Sequence, residues 1–265
     1  MRLAIDLGGT NLRVGARDGT AAWTHLHRER CQLGFSPQHL VARLHELIRR
    51  WQVTPTAIGV SVAAVVVDGG CLRGSENLGW AGVPLGSILH DAFHQPVAIE
   101  TDVFCGAFYE VRAGAARGLS SALYISVGTG VGHAVILDGK VWRGAAGGAN
   151  ALGHLILQRD GAPCHCGHSG CLCTVASGLA QSDPTPPPKP IEHLAQAIGA
   201  AVTFFEPQTV ILSGGALNQP WFALDPLVAA ISQFAFPAAR LPEVVLSPAT
   251  EPNLLGADYL AMEQS

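Results

Sequence analysis

The sequence predicts an α/β protein made of two similar halves. Apolar segments of strand length alternate with segments that have the spacing of amphipathic helices, which is typical of mixed α/β folds. An internal repeat is the second observation, because residues 3–19 and 121–139 both read as strand, Gly/Thr turn, strand and Asp-Gly. Composition is the third: 48% of the 265 residues are hydrophobic and 14% are charged, which excludes a disordered chain.

The first half begins with a predicted hairpin, in which strands at 3–7 and 11–17 flank Gly8-Gly9-Thr10. A helix is expected at 37–51, where apolar residues recur every three or four positions after Ser36, a favourable N-cap. Further along we expect a buried strand at 57–64, a hairpin at 65–73, a short helix at 83–90, a strand at 97–100 and a helix at 103–115.

The second half repeats this order. Strands at 121–127 and 131–137 flank Gly128-Thr129-Gly130, and a helix at 193–205 precedes a strand at 209–212 that ends near Gly214-Gly215. The proline-rich segment 182–190 is expected to be an extended linker. We therefore predict an N-terminal α/β half at 1–105 and a C-terminal half at 106–265, the latter with a cysteine-rich loop at 154–173.

Charge and hydropathy exclude several classes of protein. The net charge is −4 and the pI about 6.2, so the basic surface of a nucleic-acid-binding protein is not expected. Mean hydropathy is high at +0.29, but the most apolar segments, 58–67, 119–127 and 227–236, are too short or too interrupted to span a bilayer. The chain opens directly on a strand pattern rather than a signal peptide. We therefore expect a cytoplasmic protein with no membrane or nucleic-acid partner.

The three glycine turns are candidate phosphate-binding sites. Successive backbone N–H groups in such turns form a nest for phosphate oxygens, and glycine lets the phosphate approach closely. One turn of this kind usually serves only to reverse the chain, but three of them after three strands favour a phosphate ligand. Asp6 lies within a buried strand beside the first turn, where a carboxylate needs a partner and is placed to hold Mg²⁺ through water.

Asp102 has two interpretations. It stands between a predicted strand and a predicted helix, so it could simply cap the helix. It also stands at the carboxyl end of a strand, where open α/β sheets bind their ligands, and there a carboxylate can act as general base toward a hydroxyl group that attacks a phosphate. The residues alone leave both interpretations open.

Seven cysteines are present, and four of them fall within residues 164–173. With His154, the thiols of Cys164, Cys166 and Cys171 form a four-ligand set of the kind that binds a structural zinc ion. The neighbouring His165, His168 and Cys173 are interpreted as bystanders, any of which could replace a ligand. In a different region, Asn77 and Trp80 belong to a glycine-containing loop, either a surface turn with a packed tryptophan or a polar loop over a ligand.

These motifs, in this order, resemble the ROK family of sugar kinases, which have the actin-like ATPase (ribonuclease H-like) fold with a cleft between two α/β halves. The matching segments are Asp6–Thr10, Asn77-Leu78 with Trp80, Thr101-Asp102, Gly128–Gly132, Gly153-His154, Cys164–Cys171 and Ser213–Gly215. The resemblance implies an ATP-dependent, glucokinase-like hexose kinase that uses Mg²⁺ and a structural Zn²⁺. The given sequence shows no helix-turn-helix segment before its first strand, so we expect a kinase of the family rather than a repressor.

The resemblance also implies residue roles. ATP would be bound by Asp6, Gly8, Gly9, Thr10, Gly128, Thr129, Gly130, Gly214 and Gly215. The hexose would be bound by Asn77, by Asp102 as the base and by His154, which would at the same time ligate zinc with Cys164, Cys166 and Cys171.

Three positions depart from the family pattern. Ala151 and Cys173 stand where the family usually has glutamates that contact the sugar, and Thr101 replaces the usual asparagine before the base. Two lost charge-assisted hydrogen bonds could weaken sugar binding by roughly two to four decades. A non-catalytic sugar or nucleotide sensor is therefore the alternative hypothesis. The region after Cys173 is shorter than usual, which leaves a homodimer open.

Overall fold

The structure is a computed structural model that describes residues 1–19, 22–31, 34–75 and 78–264. Its strands are β1 (Arg2–Leu7), β2 (Asn11–Arg17), β3 (His25–Arg30), β4 (Ala57–Val62), β5 (Val65–Val67), β6 (Cys71–Gly74), β7 (Val97–Thr101), β8 (Ser121–Val127), β9 (Val131–Leu137), β10 (Lys140–Trp142), β11 (Thr209–Ser213) and β12 (Glu243–Leu246). Its helices are α1 (Pro37–Trp51), α2 (Leu85–Phe93), α3 (Asp102–Ala113), α4 (Cys173–Ala176), α5 (Gly178–Gln181), α6 (Pro190–Phe205), α7 (Leu224–Ile231) and α8 (Pro252–Glu263).

Two five-stranded sheets have the same topology. The first has the order β3-β2-β1-β4-β7, in which the pairs β3–β2 and β2–β1 are antiparallel and the pairs β1–β4 and β4–β7 are parallel. The second has the order β10-β9-β8-β11-β12 with the same directions. The repeat seen in the sequence therefore corresponds to a repeat of the whole sheet, and the α/β prediction is confirmed.

The described residues form two compact units. The first contains Met1–Tyr109, Ala145–Gly147 and the chain from Glu251 onward, and the second contains Glu110–Gly144 and Gly148–Thr250. The boundary expected at residues 105/106 falls inside α3, a few residues before the observed division. The C-terminal residues, which we expected in the second half, pack with the first unit instead.

In the first unit, α1 covers one face of the sheet. Ser36 caps the helix by accepting a hydrogen bond from the His39 amide at 3.2 Å, and Leu40, Leu44 and Leu47 are buried. These side chains join a core that includes Leu3, Ile5, Leu7, Val60 and Val62 from the sheet. Odd-numbered positions of β1 thus face α1, which leaves Asp6 on the opposite face.

Helix α8 covers that opposite face. A Cβ atom on Gly59 would lie 1.8 Å from the Ala257 carbonyl oxygen, and one on Gly256 would lie 1.9 Å from that of Cys105, so both contacts require glycine. Asp258, in the middle of α8, accepts hydrogen bonds from Arg2 Nε at 3.0 Å and Arg17 Nε at 2.8 Å. This packing is the reason why the end of the chain belongs to the first unit.

The second unit has its own core, built from the second sheet and α6. Leu123, Ile125, Val210 and Leu212 pack with apolar residues of α6, and the side chains involved are almost fully buried. Among the described helices of both units, none combines the length and the apolar character needed to cross a bilayer.

Candidate active site

Asp6 is a buried carboxylate at the end of β1, with 4% of the residue exposed. Its Oδ2 accepts a hydrogen bond from Arg13 at 2.7 Å and its Oδ1 accepts one from Ser61 at 2.8 Å. Burial raises the pKa of Asp6 above its ordinary value, and the Arg13 charge and the Ser61 hydroxyl act in the opposite direction. Side chains of two neighbouring strands thus offset part of the cost of burying this acid.

The first glycine turn follows directly. The Gly8 amide donates to the Asn11 carbonyl at 2.9 Å and closes the turn, and the Cys31 amide donates to the Thr10 carbonyl at 2.9 Å. Thr10 is exposed, and Gly8 and Gly9 are partly exposed. The turn therefore has a fixed backbone that is open to solvent beside the Asp6 carboxylate.

Asp102 is the first residue of α3 and follows β7. Its Oδ1 accepts a hydrogen bond from the Val103 amide at 2.8 Å, so it satisfies one amide at the start of the helix. Burial, and secondly the negative charge of Asp6, raise the pKa of Asp102 to about 7. A carboxyl group with a pKa near the working pH is suited to general base catalysis, so the helix-capping contact of Asp102 does not exclude the catalytic interpretation.

Thr101, which precedes Asp102, is buried. Its hydroxyl donates to the Ala64 carbonyl at 2.9 Å and accepts from the Val66 amide at 3.4 Å. The side chain therefore fixes the chain that leaves β4, rather than facing solvent beside the base.

The loop at residues 75–80 is closed by its ends. Ser75 and Trp80 pair through backbone hydrogen bonds of 2.7 and 3.2 Å, and the Ser75 hydroxyl donates to the Ala63 carbonyl at 2.6 Å. Trp80 is 6% exposed, and its indole N–H donates to the Phe35 carbonyl at 2.9 Å. Trp80 is therefore the packed tryptophan of the first interpretation, while Asn77 lies outside the described residues.

In the second unit the other two glycine turns come together. The Gly128 amide donates to the Gly130 carbonyl at 2.9 Å, and the Gly178 amide donates to the Gly128 carbonyl at 2.7 Å. Gly214 has a φ of 106°, and a Cβ there would lie 2.3 Å from the Val127 carbonyl oxygen. Because Gly178 also approaches Ala216, the turns at 128–130 and 214–215 line one region of this unit.

His154, Cys164, Cys166 and Cys171 form a cluster, with all four potential ligand atoms within 4.8 Å of one another. Cys164 Sγ lies 3.6 Å from His154 Nδ1, and Cys166 Sγ lies 3.6 Å from Cys171 Sγ. Sulfur atoms bound tetrahedrally to one zinc ion at about 2.3 Å lie roughly 3.8 Å apart, so this donor set fits zinc. Burial and the neighbouring thiols raise the pKa of Cys171 to about 12, so its thiolate needs a cation.

The bystander residues lie at the edge of this cluster. His168 Nδ1 is 3.6 Å from Cys166 Sγ, and His165 Nδ1 is 3.9 Å from Cys164 Sγ. Cys173 is turned away from the set, since its Sγ accepts from the Val131 amide at 3.3 Å. The thiol at this position is thus packed against the backbone after the second glycine turn.

Some supporting residues could not be found from the sequence. His133 accepts the Leu152 amide at 3.0 Å through Nδ1 and thereby holds the segment that leads to His154. Ser61 and Gly178 also have no local motif, because their partners are distant in sequence, and Arg13 was missed although it lies opposite Asp6 in the hairpin.

The repeated sheets, each with a glycine turn after its first strand, define an α/β protein of the actin-like ATPase fold, as predicted. The ROK family model matches residues 2–183, and the chain belongs to the ROK family. A kanosamine kinase of Amycolatopsis mediterranei is 32% identical over 269 residues, which covers 92% of this chain and 83% of that protein. The ROK hexokinase of Thermus thermophilus superimposes with a TM-score of 0.78 at 28% identity, covering 99% of this chain and 98% of that one.

Repressors are also among the relatives. A xylose repressor of Caldicellulosiruptor bescii is 34% identical over 186 residues, which covers 67% of this chain but 47% of the repressor. The resemblance to the ROK family, first noted from the motifs, is thus confirmed, and the relatives include proteins named as kinases and proteins named as repressors.

Proposed function

We propose that this protein is an ATP-dependent sugar kinase that phosphorylates a hydroxyl group of a hexose, with Asp102 as the general base. The observation that carries the proposal is the placement of Asp102 at the carboxyl end of β7, beside Asp6 and with a pKa of about 7. The two kinase relatives support the same reaction class.

In this reaction Asp102 accepts the proton of the sugar hydroxyl group. The hydroxyl oxygen bonds to the γ-phosphorus while the bond between that phosphorus and the bridging oxygen of ATP breaks, which releases ADP. Such a transition state is loose, so most of the catalysis comes from positioning and from stabilisation of charge on the phosphate oxygens. The base then contributes about 10²–10⁴-fold to the rate.

ATP would be held by the three glycine turns. We assign its phosphates to Gly8–Thr10 and to Gly128, Thr129 and Gly130, and its adenosine to Gly214 and Gly215. Asp6 would hold the Mg²⁺ ion that accompanies ATP through water. Asn77 and His154 would contribute hydrogen bonds to the sugar, and these roles rest on the family resemblance.

We assign a structural zinc ion to His154, Cys164, Cys166 and Cys171. Four protein ligands complete a tetrahedral shell, which leaves no position for substrate, so the ion would order the loop and take no part in the chemistry.

We place the protein in the cytoplasm, where ATP is available, and propose a homodimer, which sedimentation analysis would test.

The decisive experiment measures ADP release from purified protein with Mg-ATP and a panel of sugars. The panel contains glucose, mannose, fructose, N-acetylhexosamines and kanosamine, the last because one relative is a kanosamine kinase. Sugar-dependent turnover that falls by at least about 10²-fold in Asp102→Asn, while ATP binding by calorimetry is retained, supports the proposal. Turnover that is unchanged in Asp102→Asn contradicts the role of the base.

A non-catalytic sensor is the second candidate function. The observation that favours it is Cys173, which occupies a position of an expected sugar-binding carboxylate but is bonded to the Val131 backbone. This candidate predicts binding of sugar or nucleotide by calorimetry without ADP formation for any sugar of the panel. Steady turnover with a single sugar excludes it.

A further inference from the structure

A row of polar side chains crosses the first sheet in register. Arg28 of β3 is paired with Arg13 of β2, Arg13 with Asp6 of β1, and Asp6 with Ser61 of β4. Directly opposed residues of neighbouring strands have side chains on the same face, close enough to interact. The whole row therefore lies on the face that α8 covers, beneath the first glycine turn.

Arg13 is the centre of this row because it is shared by two carboxylates. Its Nη1 donates to Asp6 Oδ2 at 2.7 Å, and its Nε lies 3.1 Å from Oε1 of Glu251, the residue before α8. Glu251 is held in turn by Arg28, with an Nη2–Oε2 distance of 2.8 Å. The guanidinium group of Arg13 is thus held by a carboxylate on each side, and these two contacts restrict its orientation.

Because Asp6 is buried, its contact with Arg13 affects whether the carboxyl group is ionised. A carboxylate that is 4% exposed would tend to take up a proton, because burial disfavours its charged form. Ser61 supplies one hydrogen bond, and among the described residues only Arg13 supplies a compensating charge in direct contact. The ionised state of Asp6 therefore depends on one side chain from the neighbouring strand.

We infer that Arg13 is a positioning residue of the kinase reaction: anchored by Glu251, it holds the Asp6 carboxylate ionised and in one orientation beneath the first glycine turn. The inference rests on the proposed function, in which Asp6 serves the magnesium ion of ATP. Under this inference Arg13 and Glu251 control the ionisation and orientation of Asp6, in addition to any contribution they make to the stability of the fold.

Kinetics of Arg13→Gln as a function of pH test the inference. The active form needs both Asp6 and Asp102 ionised, and removal of a neighbouring positive charge makes this doubly ionised form harder to reach, however the two sites share their protons. The ratio of variant to wild-type kcat should therefore be about tenfold lower at pH 6 than at pH 8.5, a shift of about one pH unit. Arg13→Lys, which keeps the charge, should restore most of the ratio at pH 6.

Arg28→Gln is the matched control. It removes a guanidinium group from the same row and from Glu251 but not from Asp6, and it should leave the shape of the pH profile unchanged. A ratio of Arg13→Gln to wild type that is constant across pH would overturn the inference, since a purely structural defect lowers activity equally at each pH.

A second readout does not depend on turnover. Equilibrium unfolding is measured for wild type, Arg13→Gln, Asp6→Asn and the double variant between pH 5 and pH 8. The loss of stability caused by Arg13→Gln should grow as pH rises, because the variant must fold with a buried carboxylate that lacks its cation, and this growth should vanish in the Asp6→Asn background.

The two readouts separate the hypotheses. If no sugar is phosphorylated, the proposed function fails, while the unfolding cycle still decides whether Arg13 keeps Asp6 ionised. An equal, pH-independent loss in both backgrounds would reject the coupling. If Arg13→Gln does not fold, Arg13→Lys in the same cycle takes its place and should show little pH-dependent loss, and a large one would contradict the role of the charge.

Discussion

At the scale of single residues, the two acids of the first unit differ in what holds them. Asp6 is bound by a guanidinium group and a hydroxyl group, whereas Asp102 accepts the Val103 amide at the start of a helix. Burial, and secondly the negative charge of Asp6, raise the pKa of Asp102. Asp6 thus has a cation in direct contact with it, whereas Asp102 has a pKa close to neutral pH.

This difference predicts the pH dependence of catalysis. Asp102 can accept a proton only when it is ionised, and its pKa is raised to about 7, so activity should increase with pH through that value. Below pH 6, kcat/KM for the best sugar should fall about tenfold per pH unit, since this ratio reports the ionisation of the free enzyme. Steady-state kinetics from pH 5.5 to 9 provide the measurement, with circular dichroism to show that the fold persists. A rate that is flat down to pH 5 would be inconsistent with this base.

Local motifs revealed the residues whose partners are close in sequence. The four side chains predicted to bind zinc do lie together in the structure, and the sequence pointed to them because three of them lie within eight residues of one another. Arg13 and Glu251 were not predicted, since they meet only because β2 and the start of α8 lie side by side. The signal that could have found Arg13 is its position opposite Asp6 in the predicted hairpin.

At the scale of elements, the loop at 154–173 is held by its backbone as well as by the cluster. The Cys164 amide donates to the His168 carbonyl at 2.8 Å, and the Leu172 amide donates to Leu155 at 2.9 Å. A Cβ on Gly170 would lie 1.6 Å from the Gln158 carbonyl oxygen, so this turn requires glycine. The backbone of the loop therefore helps to hold the four potential ligand atoms close to one another.

We expect about one zinc ion per chain after purification without added metal. Cys166→Ser should lose most of the zinc, because it removes one of the four ligands. Cys173→Ser is the matched control, since this thiol belongs to the same segment but is bonded to Val131. Elemental analysis of the three proteins decides the assignment. Equal zinc contents in both variants would show that the cluster is not the site.

The ion pairs that Asp258 of α8 forms with Arg2 and Arg17 allow a prediction of stability. Asp258 is almost fully buried between Arg2 and Arg17, so its replacement removes the negative charge that pairs with these two buried guanidinium groups. Asp258→Asn should lower the free energy of unfolding by about 3–5 kcal/mol. Glu192→Gln, which breaks an exposed pair with Lys189, should leave it unchanged within error. Chemical denaturation compares the two, and equal effects would show that the buried pair has no special role.

Elements with a regular apolar pattern were predicted closely. The helix at 37–51 and the strands at 121–127 and 131–137 begin and end where expected. Strand β3 was missed because its sequence, His-Leu-His-Arg-Glu-Arg, is that of a polar edge strand without alternation. Helix α8 was missed because it is buried on several sides by small residues and one acid, so no single apolar stripe marks it.

At the scale of the whole molecule, the repeated strand–turn–strand motif was enough to predict two similar α/β halves, and the structure adds that their two sheets share one topology. It did not predict where the chain crosses between the units, because that depends on contacts between residues at opposite ends of the sequence. Because Gly59 and Gly256 lack a side chain, α8 can approach β4 and α3 closely, and the sequence alone does not reveal this packing.

Because α8 packs with the first unit, removal of the C-terminal segment should destabilise the first unit much more than the second. A chain that ends at Thr250 lacks Asp258 and the buried residues Leu254, Ala257 and Leu260 of α8. Burial of a leucine contributes about 1.5–3 kcal/mol, so the total loss approaches the whole stability of a domain, about 5–15 kcal/mol. The first unit should unfold, whereas the second keeps a core made entirely of its own residues.

Limited proteolysis with mass spectrometry measures this outcome. In the truncated chain, residues 1–109 should be digested early, and residues 110–250 should survive as a protected fragment, because exposed backbone is cleaved and packed backbone is not. A chain that ends at Glu263 keeps all of α8 and should resist cleavage as the full chain does. Equal protection of both regions after removal of α8 would mean that the first sheet does not need this helix. Equal loss of both would mean that the second unit depends on the first for its stability.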